Sequence, residues 1–179
     1  NHYFRFRPNG YQFMPMYRRK KWDGFVYLFN MDNHRIYSGL KSEIKRFADD
    51  REYKLIDNTG DILEPISNED YFKFLTSFPC EYKLRDYQSL AVRHSLDKRR
   101  CVLLSPTASG KSLIIYYLIR YYFPEKSLII VPTLSLVSQM YSDFEAYAEK
   151  DDSFEVEKLV HKIFGGQEKN TNKPIIIST

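Results

Sequence analysis

Cysteine and histidine are scarce in this sequence, and the few present are scattered. Cys80 and Cys101 are the only 2 cysteines, and His2, His34, His94 and His161 the only 4 histidines, none at metal-ligand spacing. This excludes a disulfide-stapled scaffold and a zinc finger, and two lone thiols fit a reducing compartment. No long hydrophobic run is present either: the most apolar stretch, Leu113 to Phe123, is too short to cross a bilayer and carries Arg120. The chain opens at Asn1 without a basic-then-apolar leader, so no secretory signal is expected. Internal repeats and low-complexity stretches are missing as well. What is abundant is aromatic: 15 Tyr, 13 Phe and 1 Trp make 16% of 179 residues. With 43% hydrophobic and 28% charged residues, a packed core is expected rather than disorder.

The formal charge of +4 is unevenly spread. Residues 1–54 hold 12 Lys+Arg against 6 Asp+Glu, residues 55–78 hold 1 against 5, and residues 79–179 hold 14 against 12. A basic head, an acidic connector and a near-neutral body predict two units, over 1–56 and 79–179, joined by a connector over 57–78; their element patterns make the first an α+β domain and the second an α/β domain.

In the head, Phe4-Arg5-Phe6-Arg7 alternates like a strand, Asn9-Gly10 supplies a tight turn, and Tyr11 to Met14 reads as the return strand. Met16 to Lys21 reads as extended, Asp23-Gly24 as a turn, Phe25 to Phe29 as a strand and Tyr53 to Ile56 as a closing strand. Leu40, Ile44 and Phe47 recur at helical spacing with Lys41, Lys45 and Arg46 opposite, which predicts an amphipathic helix with a basic outer face. The chemistry concentrates in Arg18-Arg19-Lys20-Lys21-Trp22, where four cations beside an indole suit phosphates and a stacked base or sugar. A run of surface cations that only keeps strand edges soluble is the plainer alternative.

In the body, Cys101 to Leu104 is a short apolar run that reads as a buried parallel strand. It leads into Ser105-Pro106-Thr107-Ala108-Ser109-Gly110-Lys111-Ser112 and then the helical stretch Leu113 to Tyr122. Strand, tight loop and helix are what a phosphate-binding loop requires. Small residues at Thr107 to Gly110 let backbone N–H groups curl around an anion. Gly110 permits close approach, Lys111 reaches the terminal phosphates, and Ser112 offers a hydroxyl to Mg²⁺. The first loop position, glycine in the general pattern, is Ser105. Upstream, Tyr82 to Gln88 opens a helix that continues through Leu96, and the Gln88 amide has the donor and acceptor needed to read an adenine edge. A glutamine merely facing water is the alternative there. Downstream, Ser127 to Val131 is a second buried strand ended by Pro132-Thr133, with Leu134, Val137 and Tyr141 marking the next helix. Thr133, at a strand end and helix start, is a natural seat for an oligonucleotide phosphate. Gln139 reads as solvated, Gly165-Gly166 as a turn, and Ile175 to Ile177 as a third buried strand.

The succession Arg-Asp-Tyr-Gln, Pro-Thr-Ala-Ser-Gly-Lys-Ser and Ile-Val-Pro-Thr-Leu-Ser-Leu-Val-Ser-Gln resembles the opening motifs of superfamily-two helicases. In that family the position of Ser105 is often not glycine. The head, with Tyr-Gln-Phe-Met-Pro, Lys-Trp-Asp-Gly and Ser-Gly-Leu-Lys-Ser-Glu-Ile-Lys-Arg-Phe, is similar to the amino-terminal domain of UvsW-like phage helicases. The resemblance covers nearly the whole chain, least from Asp57 to Phe78. It implies a partial RecA-like domain with a parallel sheet, and an ATP-driven enzyme of phage recombination and replication that migrates branched DNA and unwinds RNA–DNA hybrids in the host cell cytoplasm. It implies that Lys111 and Ser112 serve ATP and Mg²⁺, that Arg85 and Gln88 join the nucleotide site, and that Pro132 and Thr133 lie along the nucleic acid.

Hydrolysis also needs a carboxylate, normally at the end of an apolar strand. Asp49-Asp50 ends a basic helix, Glu69-Asp70 lies in the connector and Asp151-Asp152 in a polar loop. The 179 residues therefore read as a piece ending before the acidic motif and the second motor lobe, expected to bind ATP weakly without turning it over. A restriction-type DNA translocase and a nucleotide-silent DNA-binding module are the competing readings.

Overall fold

The computed structural model describes residues 2–58, 64–164 and 169–179. The turn expected at Gly165-Gly166 lies outside them. The chain forms two compact units, Asn1–Asp61 and Ile62–Thr179.

In the first unit, strand β1 (Arg5–Phe6) pairs antiparallel with β2 (Val26–Tyr27), Arg5 opposite Tyr27 and Phe6 opposite Val26. The local hairpin expected around Asn9-Gly10 is not formed. Gly10 is left-handed at φ +73°, but it opens a 3₁₀ turn over Tyr11–Phe13. Pro15 then starts helix α1 (Pro15–Arg18), so Met16 to Lys21, expected as extended, is helix and turn. Proline lacks the N–H a ladder needs and presets helical φ, and so overrides the strand pattern on both sides. The Asp23-Gly24 turn is present: Asp23 Oδ1 accepts from the Phe25 N–H at 3.0 Å, and Gly24 has φ +83°. Residues 25–29, expected as one strand, are divided between β2 and β3 (Phe29–Asn30). The latter forms its own hairpin with β4 (Arg35–Ile36), and Asn30 Oδ1 accepts from the N–H groups of Asp32 and Asn33 at 2.8 and 3.2 Å. Helix α2 (Lys41–Asp49) stands as expected, its Phe47 ring meeting Tyr3 and Phe4 at 4.9 and 5.4 Å. No strand forms over Tyr53 to Ile56, whose side chains stay exposed. Two separate two-stranded ladders thus replace the single sheet expected.

The second unit contains α3 (Asn68–Leu75), α4 (Asp86–Lys98), α5 (Lys111–Tyr122), β5 (Ser127–Ile130), α6 (Leu134–Ala148), α7 (Val156–Leu159), β6 (Val160–Ile163) and β7 (Ile175–Ser178). Helix α3 falls in the acidic stretch read as a connector, and its Tyr71, with Phe78 beyond it, joins the core of this unit. The three strands form a parallel sheet ordered β5-β7-β6, with Ser127 and Val160 both opposite Ile175. Parallel strands joined through helices make this an α/β unit, a partial RecA-like domain. Tyr116, Val137, Phe144 and Phe154 are sealed against Ile175 and Ile177, all essentially free of solvent.

The strand expected over Cys101 to Leu104 is not formed. Val102 and Leu104 are 85% and 96% exposed, and no described strand pairs with them. Apolar character favours burial, but a strand exists only where a neighbour accepts its ladder bonds. This segment instead borders a cavity of about 760 Å³, opposite Ile114, Ile115 and Leu118 of α5. Conversely β6, whose Val-His-Lys-Ile has no apolar run, is a strand because β7 pairs with it.

Candidate nucleotide site

The bend between residues 105 and 110 is folded tightly onto the start of α5. Gly110 caps the helix at φ +74°, and a Cβ there would lie 2.3 Å from Gln88 Nε2. A residue with a Cβ there would sit on left-handed backbone and would have to displace the Gln88 amide. Ser105 and Ser109 share a hydrogen bond between hydroxyls across the loop. Lys111 curls back so that Nζ donates to the carbonyls of Pro106 and Ser105 at 2.7 and 3.3 Å, while its side chain stays exposed. Thr107 and Ala108 are exposed at the tip, Ala108 with φ +62°.

Gln88 is buried in the first turn of α4 rather than facing water. Its Oε1 accepts from the Arg85 N–H at 2.9 Å and its Nε2 donates to the Ser109 carbonyl at 3.0 Å. The Tyr87 hydroxyl donates to the same carbonyl at 3.1 Å. Helix α4 thus grips the loop from outside. These bonds use one acceptor and one donor of the amide and support the loop's shape.

Ser112, one residue into α5, shares a 2.9 Å hydrogen bond with the Tyr147 hydroxyl of α6. Burial raises the pKa of that phenol above its ordinary value. Tyr82 and Tyr147 meet edge-on at 5.1 Å and, with Arg85, Gln88 and Gly110, line a cavity of about 310 Å³. The loop therefore separates this polar concavity from the larger apolar one beside residues 102–104. Among the described residues, no Asp or Glu lines either.

The other expected contacts lie apart from the loop. Thr133 caps α6, its Oγ1 accepting from the Leu136 N–H at 3.4 Å, and both Pro132 and Thr133 are exposed. In the first unit Arg18, Lys20, Lys21 and Trp22 line an open cavity of about 620 Å³ with Gln12, Tyr17 and Asp23. Arg19 is exposed on the same turn but does not line it. The Trp22 indole N–H donates inward to the Phe25 carbonyl at 2.7 Å, which fixes the ring. Among the described residues no group of His, Cys, Asp and Glu could hold a metal ion, and no helix is long and apolar enough to cross a membrane.

Residues 81–179, more than half of the chain, match the family model described as Type III restriction enzyme, res subunit. Residues 1–57 match the model described as DNA helicase UvsW, N-terminal. The ATP-dependent DNA helicase UvsW of Enterobacteria phage T4 is 34% identical over 190 residues. The chain belongs to the family described as Type III restriction enzyme, res subunit. The UvsW match takes in 99% of this chain but 37% of the length of the T4 protein. A crystal structure of the UvsW helicase from bacteriophage T4 superposes with a TM-score of 0.78 at 34% identity, over 99% of this chain and 66% of that one. A second T4 UvsW crystal structure gives 0.77 at 33% identity, over 99% and 37%.

Sequence reasoning missed three residues in the candidate site and its frame. Tyr87 and Tyr147 reach the loop, but nothing in their spacing distinguishes them from core aromatics. Asp151, read as loop, is buried and paired with Arg120 of α5 at 2.5 Å. The guanidinium lies over the Phe78 and Phe154 rings at 4.3 and 4.4 Å and donates to the Tyr116 hydroxyl at 3.2 Å. Burial opposes ionisation of Asp151, yet bonds from Ser153 and Arg120 outweigh it and hold the carboxyl below its ordinary value. Burial pushes the Tyr116 phenol up to about 12.

Proposed function

We propose that this chain serves an ATP-dependent DNA helicase, holding ATP at the 105–112 loop and DNA along its basic first unit and the start of α6. The observation that carries the reading is the Gly110-Lys111 junction: a loop forced into left-handed backbone at the amino end of a 12-residue helix, with an exposed ammonium folded over it. Backbone N–H groups at such a terminus favour an anion. The absence of a Cβ at Gly110 leaves the loop close against Gln88, a shape that fits a phosphate cradle.

In this reading the amides of residues 107–110 hold the phosphate oxygens, and Lys111 exchanges its bonds to the Pro106 and Ser105 carbonyls for the terminal phosphates. Pro106 sets the bend, and Arg85 and Gln88 border the polar concavity. Ser112 gives its hydroxyl to Mg²⁺, which when bound neutralises charge on the phosphates. Nucleotide binding without turnover by these 179 residues belongs to the same reading.

Arg18, Arg19, Lys20 and Lys21 form no ion pair among the described residues, which leaves them available to phosphates, with Pro132 and Thr133 as a second contact. The proposal extends to branched or duplex DNA and RNA–DNA hybrids in phage recombination and replication, in the host cell cytoplasm. The match of residues 1–57 to the UvsW amino-terminal model supports this over a restriction-type translocase. The test is equilibrium binding of a fluorescent ATP analogue to the chain. Binding abolished by Lys111→Ala is the expected result. Binding indifferent to that change, or none at all, returns the loop to a nucleotide-silent DNA-binding module. Lys111-dependent ATP turnover by the same chain would overturn the no-turnover reading alone.

A further inference from the structure

Tyr147 lies 35 residues from Ser112, on another helix, yet its hydroxyl is the partner that the Ser112 side chain has among the described residues. Its ring is fixed by edge-on contacts to Tyr82 at 5.1 Å and Tyr116 at 5.5 Å, so the hydroxyl has a defined place. The same ring lines the polar concavity beside Gln88 and Gly110.

A serine hydroxyl has one proton and two lone pairs and turns freely about its C–O bond. To present a lone pair to a hard cation it must point its proton elsewhere, at an acceptor. We propose that Tyr147 is a positioning residue for Ser112, accepting the Ser112 proton and thereby turning a Ser112 lone pair toward the divalent cation that accompanies a bound nucleotide. This rests on the nucleotide reading above. Either hydroxyl of the pair can donate, so the bond persists without the cation, with the proton running from Tyr147 to Ser112. The cation thus selects one of two orientations of an existing bond, and α6 becomes part of the nucleotide site.

The test uses the whole chain and equilibrium affinity for a fluorescent ATP analogue, read in excess EDTA and in excess Mg²⁺. Tyr147→Phe keeps the ring and removes the hydroxyl. The expected result, whatever the affinity in EDTA, is a gain on adding Mg²⁺ reduced by about fivefold, the worth of one neutral hydrogen bond. Ser112→Ala removes the same gain, and adding Tyr147→Phe to it costs nothing more, because the two act through one bond. An undiminished Mg²⁺ gain in Tyr147→Phe overturns the proposal, and so does an equal loss with and without Mg²⁺, which marks a packing role. A second measurement needs no variant: with Cζ-labelled tyrosine in the original chain, the Tyr147 resonance should shift when Mg²⁺ joins the bound analogue, and a fixed resonance overturns the assignment. If the original chain binds no analogue in either condition, the nucleotide reading itself has failed, a result distinct from the others.

Discussion

A methyl group at position 110 would have to occupy the space of the Gln88 amide nitrogen, 2.3 Å away, on a backbone already at φ +74°. Gly110→Ala therefore combines a left-handed backbone penalty of about 1–2 kcal/mol with displacement of a buried amide that bonds both Arg85 and Ser109. Its expected cost is about 2–4 kcal/mol of second-unit stability, read by denaturant unfolding followed by far-ultraviolet circular dichroism, together with loss of ATP-analogue binding. Gly10 has nearly the same backbone at φ +73°, but a Cβ there meets only Phe13 Cδ2, at 3.9 Å. Gly10→Ala should cost only the backbone part, about 1–2 kcal/mol. The fluorescence of Trp22, the sole tryptophan, reports this in the first unit. Equal penalties at the two positions would show that contact with Gln88 does not matter. The sequence identified Gly110 because the loop pattern constrains its neighbours. It could not identify Tyr147, whose role depends on a helix 35 residues away.

Among the elements, those made by local spacing were legible and those made by pairing were not. Helices α2 and α6 follow from apolar residues recurring at three and four, a pattern each helix completes within itself, and α5 follows from the loop pattern that precedes it. The strands depend on partners. Phe4 to Arg7 found its partner 20 residues further on instead of in the adjacent segment, and Cys101 to Leu104 found none among the described strands. The run Arg18 to Lys21, expected on a strand, sits at the end of α1 and the turn after it, so its cations spread around a concavity instead of along one edge. Replacing Arg18, Arg19, Lys20 and Lys21 together by Ala should weaken DNA binding and flatten its salt dependence. The slope of log K against log [salt] falls by roughly 0.7–0.9 for each phosphate that the variant leaves unneutralised. An unaltered slope in the variant would remove this concavity from the DNA path.

At the scale of the whole second unit, the pair Arg120–Asp151 ties helix α5 to the segment after α6 through a nearly solvent-free contact. Removing one charge from a buried pair strands the other, so Asp151→Asn should cost about 3–5 kcal/mol at neutral pH. The sign of its pH dependence follows from the lowered pKa of Asp151. The folded unit holds the carboxylate ionised more firmly than the unfolded chain does, so the stabilisation is complete above the unfolded value of about 4 and is lost as pH falls from there through the folded value. The stability gap between the original chain and Asp151→Asn should therefore be constant from pH 8 to pH 5 and shrink below about pH 4. A gap independent of pH throughout would mean that the ionised pair does not account for the variant's cost.

The sequence alone determined what is encoded within a few residues: the loop and its glycine, lysine and serine, the amphipathic helices, the basic head and the family likeness. Each follows from local backbone preference, helical period or charge, which need no distant partner. Only the tertiary structure decided which apolar runs became strands, that Gln88 is held between Arg85 and Ser109, that Tyr147 reaches Ser112, and that Asp151 is buried against Arg120. Those outcomes depend on which groups satisfy one another's hydrogen bonds and charges once the chain has closed on itself. Such pairing joins positions tens of residues apart and leaves no periodic trace along the chain.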